Sequence, residues 1–263
     1  MSVPVDYLHQ QLQNMAPHRA IVRAIECKFM SQVPLVAPVL DVGVGDGHFA
    51  AIAYDSPIDV GIDVMERDLP EAAALRPQVF KDVMYASATD MPFGDGAFNT
   101  VVSNSVIEHI PDIDGTLSEI SRVLRSGGTF AMTTPSEHYP DYLLGSTLFR
   151  RIGSDRLGHL YGTFFNTISH HYHIYPPHEW RERLAAYDLE MIEHTYYFSA
   201  AAHRALDLSH YLGVPNLISK RLLGQWVLHP AQAVPFERWL RPFYEEPLPE
   251  TGAYQFIRCT KRG

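Results

Sequence analysis

Three groups of residues have the types and spacing to do chemistry. The first is the run Val39–Phe49, V-L-D-V-G-V-G-D-G-H-F, where Gly43, Gly45 and Gly47 follow an acid, Asp41. Glycines let a backbone approach a ligand closely, and a helix starting after Gly47 would offer N–H groups without intrahelical partners. Asp63, a second acid, closes the next apolar run. The second group is the pair Glu108-His109, whose imidazole titrates in the range a general base needs. The third is S-H-H-Y-H-I-Y, Ser169–Tyr175, with His170, His171 and His173. Zinc is a weak reading of that cluster, because no cysteine lies near and the spacing of a helical ligand pair is missing. A histidine facing a substrate pocket is the better reading, so His109, His171 and His173 are the catalytic candidates.

These residues need elements to hold them. Apolar spacing predicts helix over residues 7–30 (Leu8, Leu12, Met15, Ile21, Ile25, Met30), broken at Pro17. Residues 35–42 read as a buried strand, 58–62 as a second, 83–86 as a weak third and 100–103 as a fourth. Helical spacing returns between Asp112 and Leu124 and stops at Ser126-Gly127-Gly128, after which 129–133 reads as a fifth strand. Residues 136–177 are aromatic and histidine-rich with little regular pattern. A helix over 177–186, a strand over 189–198, a helical stretch over 200–250 and a closing strand over 252–260 complete the reading. Alternating strands and helices imply a doubly wound α/β fold, Rossmann-like, with a mostly parallel seven-stranded sheet and helical insertions. Its ligand site lies outside the carboxyl ends of the strands, where the candidate residues fall. We expect one domain over 1–263, with 33–136 holding the cofactor, 137–176 covering the substrate and 199–250 inserted before the last strand.

Glycine spacing discriminates between ligands. A dinucleotide fingerprint needs G-x-G-x-x-G, but counting from Gly43 puts His48 where the third glycine belongs. The sequence instead reads D-x-G-x-G-x-G, which resembles motif I of the class I S-adenosylmethionine-dependent methyltransferases, of the type 11-like kind. Two further runs, F-N-T-V-V-S-N-S-V-I-E-H-I-P-D and E-I-S-R-V-L-R-S-G-G-T, match the family's fourth strand, next helix and fifth strand. The resemblance covers residues 36–136 and fades beyond. It implies S-adenosyl-L-methionine as cofactor, with Asp41, Gly43, Gly45, Gly47, Asp63, Ser87, Ala88 and Asn104 as its contacts. Asp63 would take the ribose hydroxyls; its local rival Asp59 lies mid-strand. The adenine segment A-S-A-T-D-M-P-F departs from the pattern, having Ser87 where an acid is usual, with Asp90 only three residues on. Quinone and RNA methyltransferases with a metal show E-x-x-E-H here. Ser105 replaces the first of those acids, so no metal is expected.

Composition narrows the acceptor. A net charge of −9 disfavours a protein that grips nucleic-acid phosphates, and Ser103-Asn104-Ser105-Val106 is not an N-P-P-Y type loop for a flipped base. The two cysteines, Cys27 and Cys259, lack metal spacing and read as free thiols. No signal-like or membrane-spanning run is apparent, so a cytoplasmic protein is expected, monomeric or homodimeric. A small-molecule acceptor leads, methylated at oxygen, or else nitrogen or carbon. Tyr161, Phe164 and Phe165 are candidates for its aromatic wall, and Arg19 for the cofactor carboxylate. The apolar stretch with Leu212, Val214, Leu217, Ile218, Leu222, Leu223, Trp226, Val227 and Leu228 suits packing, dimerisation or peripheral membrane contact near a lipid-linked or quinone-type acceptor. A catalytically idle S-adenosylmethionine-binding scaffold is the reading from another class.

Overall fold

The computed structural model describes residues 5–212, 219, 221–222 and 229–263. They gather into two compact units, one from residues 29–137, 169–195 and 255–263, the other from within 1–28, 138–168 and 196–254.

The first unit is built on the sheet. Its strands are β1 (Val39–Val42), β2 (Ile58–Asp63), β3 (Phe80–Tyr85), β4 (Phe98–Asn104), β5 (Leu124–Pro135), β6 (Leu189–Tyr197) and β7 (Tyr254–Lys261). Their spatial order is β3-β2-β1-β4-β5-β7-β6, a seven-stranded mixed sheet of Rossmann-like type. The pairs β1–β2, β1–β4, β2–β3 and β4–β5 are all parallel. Strand order therefore reverses between β1 and β4, which opens the crevice where such sheets bind ligands.

Burial explains why these residues form strands. All four residues of β1 are buried, as a central parallel strand covered on both faces must be. Leu40, Val101, Ile107, Leu117, Phe130 and Trp180 pack together in one core cluster, and Val39, Val44, Ile58, Ala72 and Phe80 in another. Helix α5 (Ile113–Val123) lays Leu117, Ile120 and Val123 into the first of these, and the Asp112 carboxylate caps its start by accepting from Gly115 N–H at 2.9 Å.

Two boundaries differ from expectation. Strand β1 begins at Val39 rather than residue 35, since Pro34 and Pro38 have no N–H to give a ladder. Val39 N–H instead donates to Asp59 Oδ2 at 2.7 Å, while Lys81 holds the other oxygen, so Asp59 is a strand pin. Ser126-Gly127-Gly128 does not end a helix. It lies inside β5, where the register shifts between Phe98 and Thr100, with Gly127 at φ +75° making a bulge.

The second unit corrects the expectation of little pattern over 136–177. Tyr139–Tyr142 (α6), Leu144–Arg151 (α7) and Asp155–Ile168 (α8) are helical. Their packing demands residues of poor helix propensity, which hides the helix from a sequence reading. A Cβ at Gly162 would meet Pro140 O at 2.8 Å, and one at Gly158 would meet Ser146 O at 2.9 Å. Helices α1 (Tyr7–Leu12), α2 (Pro17–Met30), α10 (Ala200–Leu212) and α11 (Ala233–Tyr244) agree with the helical stretches read from sequence, and α9 (Pro177–Ala185) does so in the sheet unit. Val214, Leu217, Ile218, Leu223, Trp226, Val227 and Leu228 lie outside the described residues.

Candidate active site

The corner between β1 and β2 is made by backbone. Leaving β1, the chain turns so that Gly43 and Val44 N–H both donate to Ile62 O, at 2.8 and 3.2 Å. Gly43 has φ +84°, and a Cβ there would sit 2.4 Å from Val106 Cγ2, so no other residue fits without displacement. Gly45, at φ +54°, is the opposite case: a Cβ would meet nothing within 4 Å, so its backbone faces open space. Gly47, also left-handed at φ +76°, leads into helix α3 (His48–Ala53).

Asp63 closes β2 and ties the corner together. Its Oδ2 accepts Gly45 N–H and its Oδ1 accepts Met65 N–H, each at 2.8 Å. A carboxylate has about four acceptor positions. Two are used here, and the remaining pair suits two vicinal hydroxyls. Asp41 sits in mid-sheet, paired in register with Gly61 and Val102, and is only 6% exposed. Burial, and then the Asp63 carboxylate, push its pKa up to about 7. It is therefore poised between charged and neutral, and a cation arriving nearby would favour the charged form.

The adenine-side candidates are tied more locally. Ser87 Oγ pairs with Thr89 Oγ1 at 2.8 Å and accepts Thr89 N–H at 3.2 Å, so its hydroxyl shapes its own turn. Ala88 is buried beside it. Asn104, 8% exposed at the end of β4, accepts a hydrogen bond from Thr133 Oγ1 at 2.8 Å through its Oδ1.

The histidines meet through a strap. After β4 the chain passes Ser105, at φ +50°, into a single 3-10 turn, Ile107–His109. Residues 170–175 lie along that turn. Tyr172 N–H donates to Glu108 O at 2.8 Å, and His109 Nδ1 reaches His170 O at 3.2 Å. His173, 7% exposed, spans Ile110 O at 2.9 Å and Pro111 O at 3.2 Å through Nε2, and Tyr175 OH at 2.8 Å through Nδ1. Carbonyls only accept, so Nε2 must carry the proton and Nδ1 accept from Tyr175. Both ring nitrogens are thus engaged, which makes His173 a clasp. His171 stands with its ring 5.2 Å from that of His109, and burial, followed by the His109 charge, lowers its pKa to about 3. It stays neutral at physiological pH. Glu108, which the sequence reading named beside His109 without a role of its own, is 1% exposed, with Oε1 3.8 Å from His109 Nε2. A carboxylate between the apolar Ile107 and Ile110 was the signal available, since ionised acids are rarely buried without a partner.

In the helical unit, Tyr161 OH donates to Asp207 Oδ2 at 3.2 Å and pairs with Tyr211 OH at 3.1 Å. Leu144 N–H also donates to that Asp207 oxygen, at 2.9 Å. Phe165 packs on Tyr161 with ring centroids 4.9 Å apart, whereas Phe164 is 56% exposed. Tyr161 and Phe165 are thus internal packing of this unit.

This geometry has relatives. Residues 40–132 match the family model of the methyltransferase domain, which takes in the glycine turn, Asp63, Asn104 and His109. A probable S-adenosylmethionine-dependent methyltransferase of Mycolicibacterium smegmatis is 35% identical over 99 residues, 37% of this chain and 38% of that protein. The sarcosine/dimethylglycine N-methyltransferase of Halorhodospira halochloris is 34% identical over 106 residues, 38% of each chain. The chain thus spans little more than a third of the length of these relatives. Among solved structures, the geranyl diphosphate C-methyltransferase of Streptomyces coelicolor aligns at a TM-score of 0.57 and 15% identity, covering 94% of this chain and 84% of that one. Residues 40–132 thus match a methyltransferase-domain model, and the fold is the Rossmann-like fold of the solved methyltransferases with which the chain aligns.

Proposed function

We propose that this protein binds S-adenosyl-L-methionine at the carboxyl edge of β1 and β2 and transfers its methyl group to a small-molecule acceptor. The observation that carries this reading is Asp63, anchored by Gly45 and Met65 N–H and retaining acceptor capacity for a ribose diol. When bound, the cofactor supplies an electrophilic methyl group on a sulfonium, so the protein's work is alignment. Asp63 holds the ribose and the open Gly45 backbone lets the cofactor lie close. Asp41 supplies negative charge that a bound cation draws out.

An oxygen acceptor must lose a proton, and His109 is the group suited to take it. Its Nδ1 is turned to His170 O, which leaves Nε2 as the basic nitrogen. His171, with a pKa near 3, is a poor base and a better hydrogen-bond donor. The acceptor atom differs among relatives: the Halorhodospira enzyme is named for nitrogen and the Streptomyces enzyme for carbon. A screen therefore spans all three atoms, starting with oxygen. The net charge of −9 disfavours nucleic acid as acceptor. No helix among the described residues is long and apolar enough to cross a membrane.

Calorimetric titration with S-adenosylhomocysteine tests the reading, beside Asp63→Ala and NAD controls. Binding by the wild type that the substitution abolishes supports it. Binding of NAD instead, or of neither ligand, overturns it.

A further inference from the structure

Local spacing around Glu108 and His109 argues against a metal, because the third residue upstream is Ser105. The fold supplies a ligand from elsewhere. Among the described residues, Glu108, His109 and His171 each offer one ligand atom, and these atoms lie within 4.8 Å of one another. His171 is more than sixty positions from Glu108 in sequence, and the strap brings it there through the Tyr172 N–H to Glu108 O bond. We propose that these three side chains form a binding site for a divalent first-row transition-metal ion.

Three features support the assignment. The first is donor chemistry: two imidazoles and one carboxylate suit zinc, iron, cobalt or manganese, whereas magnesium and calcium prefer oxygen donors alone. The second is orientation. Metal-bound imidazoles commonly donate their other N–H to a carbonyl or carboxylate, which fixes the tautomer. His109 does so already, with Nδ1 on His170 O at 3.2 Å, making Nε2 the lone-pair nitrogen on the side of Glu108. The third is the gradient of exposure. Glu108 is 1% exposed while the His109 side chain is 42% exposed, so the site has a buried anionic floor and an open mouth.

Bonds of about 2.0–2.2 Å would require the ligand atoms to draw in from their present spacing. The exposed His109 ring has room to make that move. Three protein ligands leave coordination positions vacant, as in sites that work on a ligand and unlike closed structural sites. An oxygen-bearing molecule entering past His109 would complete the shell. A metal on His109 Nε2 takes up the lone pair that the proposed general base would use, so the loaded site cannot deprotonate an acceptor through that nitrogen. Metal binding itself does not depend on the methyl-transfer reading, since its readout is metal stoichiometry.

The test is equilibrium dialysis of the full chain against Zn2+ alone, with the Co2+ absorption spectrum and X-ray absorption of the zinc-loaded protein. We expect one ion per chain, a tetrahedral or five-coordinate cobalt spectrum and two imidazole nitrogens on zinc. His171→Ala, His171→Gln and Glu108→Gln should each weaken affinity by about tenfold or more. His170→Asn should leave it unchanged, and far-UV circular dichroism with a thermal melt checks that each variant is folded. Should a variant fail to fold, the imidazole count on the wild type still decides. No bound ion, an imidazole count other than two, or binding that survives loss of His171 overturns the proposal.

Discussion

The glycine corner and the histidine strap lie in the same unit but are built differently. The corner is made by neighbours in sequence: Gly43, Gly45 and Asp63 belong to consecutive elements of one β-α-β unit, and backbone conformation does the shaping. The strap depends on residues 170–175 finding the 107–111 turn across more than sixty positions, and side-chain and loop hydrogen bonds hold it. The corner should therefore fail through strain and lost cofactor affinity. The strap should fail through local opening, with cofactor affinity intact.

The largest expected effect is at Gly43. An alanine adds about 1–2 kcal/mol of left-handed strain and about 1–3 kcal/mol of overpacking on Val106, so Gly43→Ala should cost about 4 kcal/mol in urea unfolding. Val106→Ala should return part of that loss; no rescue would mean the contact with Val106 is not the cause.

Next is Asp41. Its folded pKa near 7 lies above the ordinary 3.8, so between those values the native state holds more protons than the unfolded chain. Stability of the ligand-free protein must then fall as pH rises from about 4 to about 7, by at most about 4 kcal/mol at 1.36 kcal/mol per pKa unit. Asp41→Asn should remove this slope. The isosteric amide should melt higher than wild type at about pH 8, and the gap should close at about pH 4. A gap that does not change with pH would rule out the raised pKa.

His173→Phe tests the strap. Losing a bond to a buried group typically costs about 1–3 kcal/mol, and amide exchange should quicken around residues 170–175. S-adenosylhomocysteine affinity should stay within about twofold, as expected for independent sites. A large loss of affinity would show that the two regions are one.

The smallest stability effect belongs to Gly45→Ala, which carries strain of about 1–2 kcal/mol but meets no atom. Its cofactor affinity should nevertheless fall about tenfold, because the added methyl would occupy the space the ligand needs. Unchanged affinity would mean the ligand does not lie against Gly45.

Much of the fold was readable because its signals are local. Strands β2 and β4, helix α5 and the D-x-G-x-G-x-G turn carry apolar periodicity or glycine placement within a dozen residues. The same locality misled elsewhere. Ser126-Gly127-Gly128 has the composition of a helix stop but serves as a bulge, because Leu124 already pairs with Phe98. The glycines of α8 look like helix breakers until their close contacts with Pro140 and Ser146 are seen.

Sequence by itself determined the alternation of strands and helices, the glycine turn and the acid at the end of β2, since these follow from backbone sterics and short-range pattern. Tertiary structure alone decided the surroundings of each histidine. His109, His171 and His173 are the same residue type, and no local rule tells them apart. Packing buried one as a clasp, held another neutral and left the third open beside Glu108. A histidine's chemistry depends on which groups face its two nitrogens and how much water reaches it, and both are set by chain that lies far away in sequence.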